Sequence, residues 1–263
     1  VNQLLHYLYN CNKKKVWILY LGFITVSFIL FSYMVGSSKR ILPVKQETTL
    51  ILFTVLIVMA VFSIFLLTIS SFKKMINNSM IRYTAIPAKK YLYANIVFCT
   101  LMLILLAVIS LIFLELFSWY LSEFLKVEDI EKPIGNLHSY GLAHHFFSIF
   151  LWIVELTSLL TSIIFISVII KIFNVKHGMR KILFLVFFVI FAVIYGMLMD
   201  FVAKIGSSIL SIKYVGLMNK EGYFDTSFYP GDGLNIFSLC FEGLLIFLLV
   251  SMTAYIIDKK LEV

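Results

Sequence analysis

The chain has 263 residues, of which 61% are hydrophobic and only 14% charged, against roughly a quarter charged in an ordinary soluble domain. Apolar stretches near 20 residues recur along its whole length, which is the length a helix needs to cross ~30 Å of hydrocarbon. A soluble helical protein is excluded because its helices would need polar faces at helical period, and these segments are apolar all round.

The net charge of +8 gathers beside the apolar runs, so it is explained by membrane topology, with no nucleic-acid partner. Cys11, Cys99 and Cys240 are far apart and lack metal-ligand spacing, so the pattern supports neither a disulfide framework nor a zinc site.

The sequence opens with VNQLLHYLYNCNKKK. Val1, Leu4, Leu5, Leu8 and Cys11 fall on one helical face. Residues 1–15 are therefore expected to form an in-plane amphipathic helix at the headgroup boundary. Lys13, Lys14 and Lys15 then precede a first span over residues 16–36, too long for the core of a cleaved signal and expected to be retained. The second span is read over 50–72. After it comes SFKKMINNSMIRYTAIPAKKY, a loop with five Lys/Arg and no acid. A third span covers 91–117, a fourth 146–170, a fifth 182–199 and a sixth 236–257.

Before the sixth span, FVAKIGSSILSIKYVGL is apolar but too short and interrupted to cross, so a re-entrant or interfacial helix is expected there. YFDTSFYPGDGLN follows as turns. The expected fold class is thus all-α and integral to the membrane. Its single transmembrane domain over residues 1–263 has six spans.

Charge orients the bundle. If both termini and the loops after spans two and four share a side, that side holds fourteen Lys/Arg against Asp258 and Glu262. The other side holds eight Lys/Arg and nine acids. This asymmetry places both termini in the cytoplasm of a cell membrane, although the first outer loop, SSKRILPVKQET, is itself basic.

Several chemistries have no motif here. There is no GxxxxGK[ST] phosphate loop, no GxSxG elbow and no HExxH pair. The adjacent His144 and His145 point about 100° apart on a helix and make a poor metal pair. No catalytic residue, metal or bound cofactor is therefore expected in this chain. Three carboxylates do lie inside apolar spans: Glu115, Glu155 and Glu242. At a helix centre each costs about 2.5–3.5 kcal/mol on insertion scales. They either hold helices together through neighbouring hydroxyls or line a pathway for a cationic cargo.

The stretch INNSMIRYTAIPAKKYLYANIVFCTLMLI resembles the segment after the second span of ABC-2-type transporter permeases. In that family a short cytoplasmic helix is followed by a TLPxSR-like phrase and the third span. Here the phrase stands as Thr84-Ala85-Ile86-Pro87-Ala88-Lys89-Lys90-Tyr91, with Ala88 at the serine-like position and Lys89 at the basic one. The wider resemblance covers the whole chain, and the N-terminal helix is similar to the family's connecting helix.

The resemblance implies a permease subunit of an ATP-driven transporter. ATP and magnesium would be bound by a separate ABC ATP-binding subunit, and a second permease chain, the same or related, would complete the pore. A coupling helix over residues 74–83 would contact the ATPase through Lys74, Met75, Asn77, Asn78, Met80, Arg82 and Tyr83, and Pro87 would be the hinge after it. The chain also looks like small bacterial permeases of peptide exporters, among them exporters of cytolytic modulin peptides, and of bacteriocin-immunity systems. That implies export of an amphipathic peptide, toxin, drug or lipid, with membrane lipid as the surrounding partner and Glu115, Glu155 and Glu242 beside the pathway. Two other classes fit the composition: an ion-coupled secondary transporter, and an immunity or scaffold protein that moves nothing.

Overall fold

A computed structural model of the chain describes residues 2–38, 46–77, 87–125, 142–173, 177–207, 211–212 and 234–261. They form α1 (Asn2–Ser38), α2 (Gln46–Asn77), α3 (Ala88–Leu125), α4 (Leu142–Ile172) and α5 (His177–Ser207), then β1 (Ser211–Ile212), β2 (Leu234–Asn235) and α6 (Ile236–Ile256). A π-helical turn, Ile257–Leu261, ends the described chain. All six α-helices are long and apolar enough to cross a membrane. This is an all-α, multi-pass membrane protein, with one two-residue antiparallel ladder that pairs Ser211 with Asn235 and Ile212 with Leu234.

The helices run further than the apolar segments. With 37 residues, α1 is about 55 Å long, well beyond the hydrocarbon thickness. It passes through Lys13–Lys14–Lys15 without interruption, which corrects the expected separate in-plane helix over 1–15. Lysine is a good helix former and no proline or glycine precedes Gly22, so nothing local ends the helix at the charges. For the same reason α2 continues through Lys73 and Lys74 to Asn77. Residues 74–77 are the end of the second span and do not begin a new helix, while residues 78–86 lie outside the described residues. Likewise α5 carries on to Ser207. The expected re-entrant helix is corrected where it is described: residues 201–207 extend the fifth span, and Ser211–Ile212 are extended strand.

The contacts divide the chain into two compact units. The first comprises Val1–Asn77 and Val97–Ile149. In it α1 and α2 pack antiparallel: Asn12 on α1 meets Ser71 on α2, and further along Phe23 meets Phe53. The core is aromatic. Phe53 is 0% exposed and lies 5.1 Å from Phe117 and 6.3 Å from Phe113, both on α3. Phe28 meets Phe113 edge-on at 5.1 Å, and Phe31 sits against Phe117 and Tyr120. Tilted and edge-to-face pairs of this kind add about 0.5–1.5 kcal/mol each beyond simple burial. Tyr20 locks α1 to α3 by donating its hydroxyl to the Met102 carbonyl at 2.6 Å.

The second unit comprises Asn78–Ile96 and Phe150–Val263. Here α5 packs on α6. One stripe of α5, through Phe184, Phe187, Phe188, Phe191 and Tyr195, is half-buried, while Ile182, Leu185, Val189, Val193 and Met197 are exposed. The stripe is aromatic and the outer face mostly aliphatic, as expected for a helix with protein on one side and lipid on the other.

Many hydroxyl groups in the spans are satisfied locally, although the buried Ser110 Oγ on α3 has no partner among the described residues. Thr25, Ser27, Ser32, Thr54, Ser63 and Thr68 each donate to the carbonyl four residues back on their own helix. In a medium without water this removes a donor that would otherwise cost several kcal/mol to leave bare.

Candidate functional site

Two places in the second unit bring together chemistry-bearing side chains. The first is a polar cluster on α4, α5 and α6. Glu155 and Ser158 are three residues apart on α4, so they lie on neighbouring positions of one helical face. Ser158 is buried and Glu155 exposed. Tyr195 belongs to the half-buried stripe of α5, and its hydroxyl donates to Glu242 Oε1 on α6 at 3.0 Å. Glu242 is only 5% exposed. The Glu155 carboxylate is close enough to act electrostatically on both Glu242 and Tyr195.

The structure thus unites two of the three carboxylates singled out in the sequence. Glu115 does not join them: it is exposed on α3, within the first unit. Tyr195 was not anticipated, because a tyrosine in an apolar run reads as filling. The available signal was its place in line with Phe184, Phe188 and Phe191 at helical spacing. Chemically the cluster is an acidic spot with hydroxyl donors inside an apolar layer. A buried carboxylate needs such a donor, since an unpaired one costs far more than a neutral group. The same carboxylates can accept a proton, an ammonium or a guanidinium.

The second place is where α3 begins. Pro87 stands just before the helix, and its carbonyl accepts from the Lys90 amide at 2.9 Å. Proline suits this position because it fixes the backbone and has no amide hydrogen to satisfy. The Ala88 amide, an orphan donor of the first turn, donates to Asp258 Oδ1 at 2.9 Å. An aspartate of the C-terminal π-helical turn therefore caps α3 from outside, and its charge suits the positive end of the helix dipole. Lys89 extends its ammonium over two rings, 5.4 Å from Phe247 and 5.8 Å from Tyr93. Lys259 lies 5.0 Å over Tyr255.

Of the residues expected to contact an ATPase, Lys74 is exposed, Met75 is buried and Asn77 is the last residue of α2. Asn78, Met80, Arg82 and Tyr83 lie outside the described residues. Pro87 stands immediately before α3, and the segment it was expected to follow as a hinge lies outside the described residues. Asp258 was missed in the sequence. As the lone acid in IIDKK it reads as a solvated tail charge, and only the tertiary fold shows which amide it meets. Among the described residues no three His, Cys, Asp or Glu come together as a metal site. No family model, curated protein or solved structure matches the chain.

Proposed function

We propose that the chain is the permease subunit of an ATP-driven transporter of the ABC-2 type. It works as a pair of permease chains, energised by a separate ATP-binding subunit that carries ATP and magnesium, and both its termini face the cytoplasm of the cell membrane. The observation that carries this reading is the construction on either side of the cationic loop. The second span runs on as helix to Asn77, and the third begins at Ala88 with its first amide held by Asp258. Only nine residues, 78–86, lie between Asn77 and Pro87. A push on so short a connection would reach helices at both of its ends. This is what a permease with no nucleotide pocket of its own requires of its contact with a motor.

The cargo class follows from the polar cluster. Glu155 and Glu242 lie among apolar and aromatic side chains on α4–α6, which suits an amphipathic, cationic peptide, toxin or drug leaving the cell. The buried Glu242, paired with half-buried Tyr195, also favours a second reading, an ion-coupled transporter in which the glutamate carries a proton.

Co-purification separates the two readings. A cysteine replacing Asn78 in native membranes is expected to cross-link to an ATP-binding subunit, and the purified complex to show ATPase turnover stimulated by the permease. Labelling of that cysteine from the external medium, with no captured ATPase, overturns the proposal. Uptake driven by a proton gradient in vesicles of the purified chain, without nucleotide, establishes the alternative.

A further inference from the structure

The first unit carries a concentration of positive charge that has no acidic partner among the described residues. Asn12, 5% exposed, donates its amide to the Leu8 carbonyl and to Ser71 Oγ, both at 2.9 Å. These bonds fix the register of α1 against α2 at one end of the pair. Buried Leu8, Asn12 and Val16 form the contact stripe of α1 there, and Ser71, Phe72 and Met75 that of α2. Lys13, Lys14 and Lys15 start one residue past Asn12, and Lys73 and Lys74 lie two and three residues past Ser71. All five are exposed. The helix α1 has no acidic residue, and the only acid of α2, Glu47, sits in its first turn at the far end.

We propose that this five-lysine collar is a seat for the phosphate headgroups of anionic phospholipid. The aromatic residues around it favour lipid over a soluble partner. Tyr9 lies four residues before Lys13 and is 38% exposed; Trp17 lies two after Lys15 and is 53% exposed. Exposed Tyr and Trp on either side of a lysine run are the side chains that sit at headgroup depth, with their rings in the boundary layer and their polar edges in the wet zone. Lysine stems lie along the apolar helix surface and lift their ammonium groups to the phosphates. Each ammonium close to an anionic surface adds to the attraction, and five held in one register by Asn12 and Ser71 favour a headgroup with net negative charge over a zwitterionic one, whose choline cation offsets its phosphate and repels them. The seat shares Lys74 with the surface expected to meet the ATPase, but lipid binding is read on the permease chain alone and does not rest on that reading.

Trp17 reports on its own neighbourhood. With Trp119→Phe and Trp152→Phe it becomes the sole tryptophan of three. The protein is reconstituted in phosphatidylcholine vesicles containing a minor fraction of phosphatidylglycerol, with bromine on the acyl chains of one lipid at a time. Brominated phosphatidylglycerol is expected to quench Trp17 at least ~2-fold more than random mixing allows, the excess falling in high salt. Replacing all five lysines with Gln returns quenching to the random value, while replacement with Arg keeps the excess. Random mixing around the wild-type collar, or an excess that survives in the Gln variant, overturns the proposal. The former result would leave the lysines to an acidic protein partner. Native mass spectrometry of the unaltered chain gives a second readout: retained phosphatidylglycerol supports the seat, and its absence counts against it.

Discussion

The Ala88 amide and the Asp258 carboxylate meet at 2.9 Å although 170 positions separate them in the chain. The contact ties the first turn of α3 to the π-helical turn after α6. Asp258→Ala removes the acceptor and is expected to cost about 0.5–2 kcal/mol. That corresponds to a fall of a few °C in melting temperature for a chain of this size, roughly 2–4 °C per kcal/mol. Asp258→Asn keeps an acceptor oxygen and should recover most of the loss. Thermal unfolding of the two variants in one detergent checks this. If the proposed function holds, Asp258→Ala also lowers ATPase stimulation more than Asp258→Asn does, because it loosens the end of the lever.

Tyr195→Phe leaves the buried Glu242 without the donor that now reaches Oε1. An unsatisfied buried group costs about 1–3 kcal/mol, more when charged. The double variant Tyr195→Phe/Glu242→Gln removes the charge as well as the donor and is expected to be more stable than Tyr195→Phe alone. A double-mutant cycle by thermal unfolding gives the coupling. In a transport assay, Glu155→Gln with Glu242→Gln should weaken export of a cationic peptide while sparing a neutral one. Unchanged cationic export would remove these carboxylates from the pathway.

Phe53→Ala opens a void among Phe23, Phe113 and Phe117 and should cost about 3–5 kcal/mol. Phe201, on α5 and 62% exposed, provides the contrast. Phe201→Leu exchanges one lipid-soluble side chain for another and should leave the melting temperature unchanged. Unfolding curves of the two variants side by side decide it.

The six spans were legible because apolar runs of membrane length dominate the composition; the first five segments lie within single α-helices, and the sixth ends one residue into the π-helical turn. Helix ends were not legible. Lys13–Lys15, Lys73 and Lys74 mark where the hydrocarbon stops, but lysine does not stop a helix, so α1 and α2 run through them. For this one reason the N-terminal helix is not separate from the first span and α2 runs past residue 74; residues 78–83 of the expected coupling helix lie outside the described residues. The meeting of Glu155 with Glu242 was only half legible. Their similar depth follows from span direction and 1.5 Å per residue, but which helices adjoin is a matter of packing. Tyr195 and Asp258 were hidden for that reason too, since each gains its meaning from a partner on another helix.

Entry into the bilayer and correct assembly there are graded by different properties of this chain. A translocon weighs each segment by its overall oiliness and does not sense where a ring sits on the helix. The hydroxyls of Thr25, Ser27, Thr54 and Thr68 bond within their own helices, so they do little to tell one helix from another. Beyond the Asn12–Ser71 and Tyr20–Met102 hydrogen bonds, recognition among α1, α2 and α3 rests on the shapes of Phe23, Phe28, Phe31, Phe53, Phe113 and Phe117. Exchanging one of these for leucine would pass biosynthetic inspection and still yield a mispaired bundle, so the damage would show in quality-control turnover of a fully inserted product.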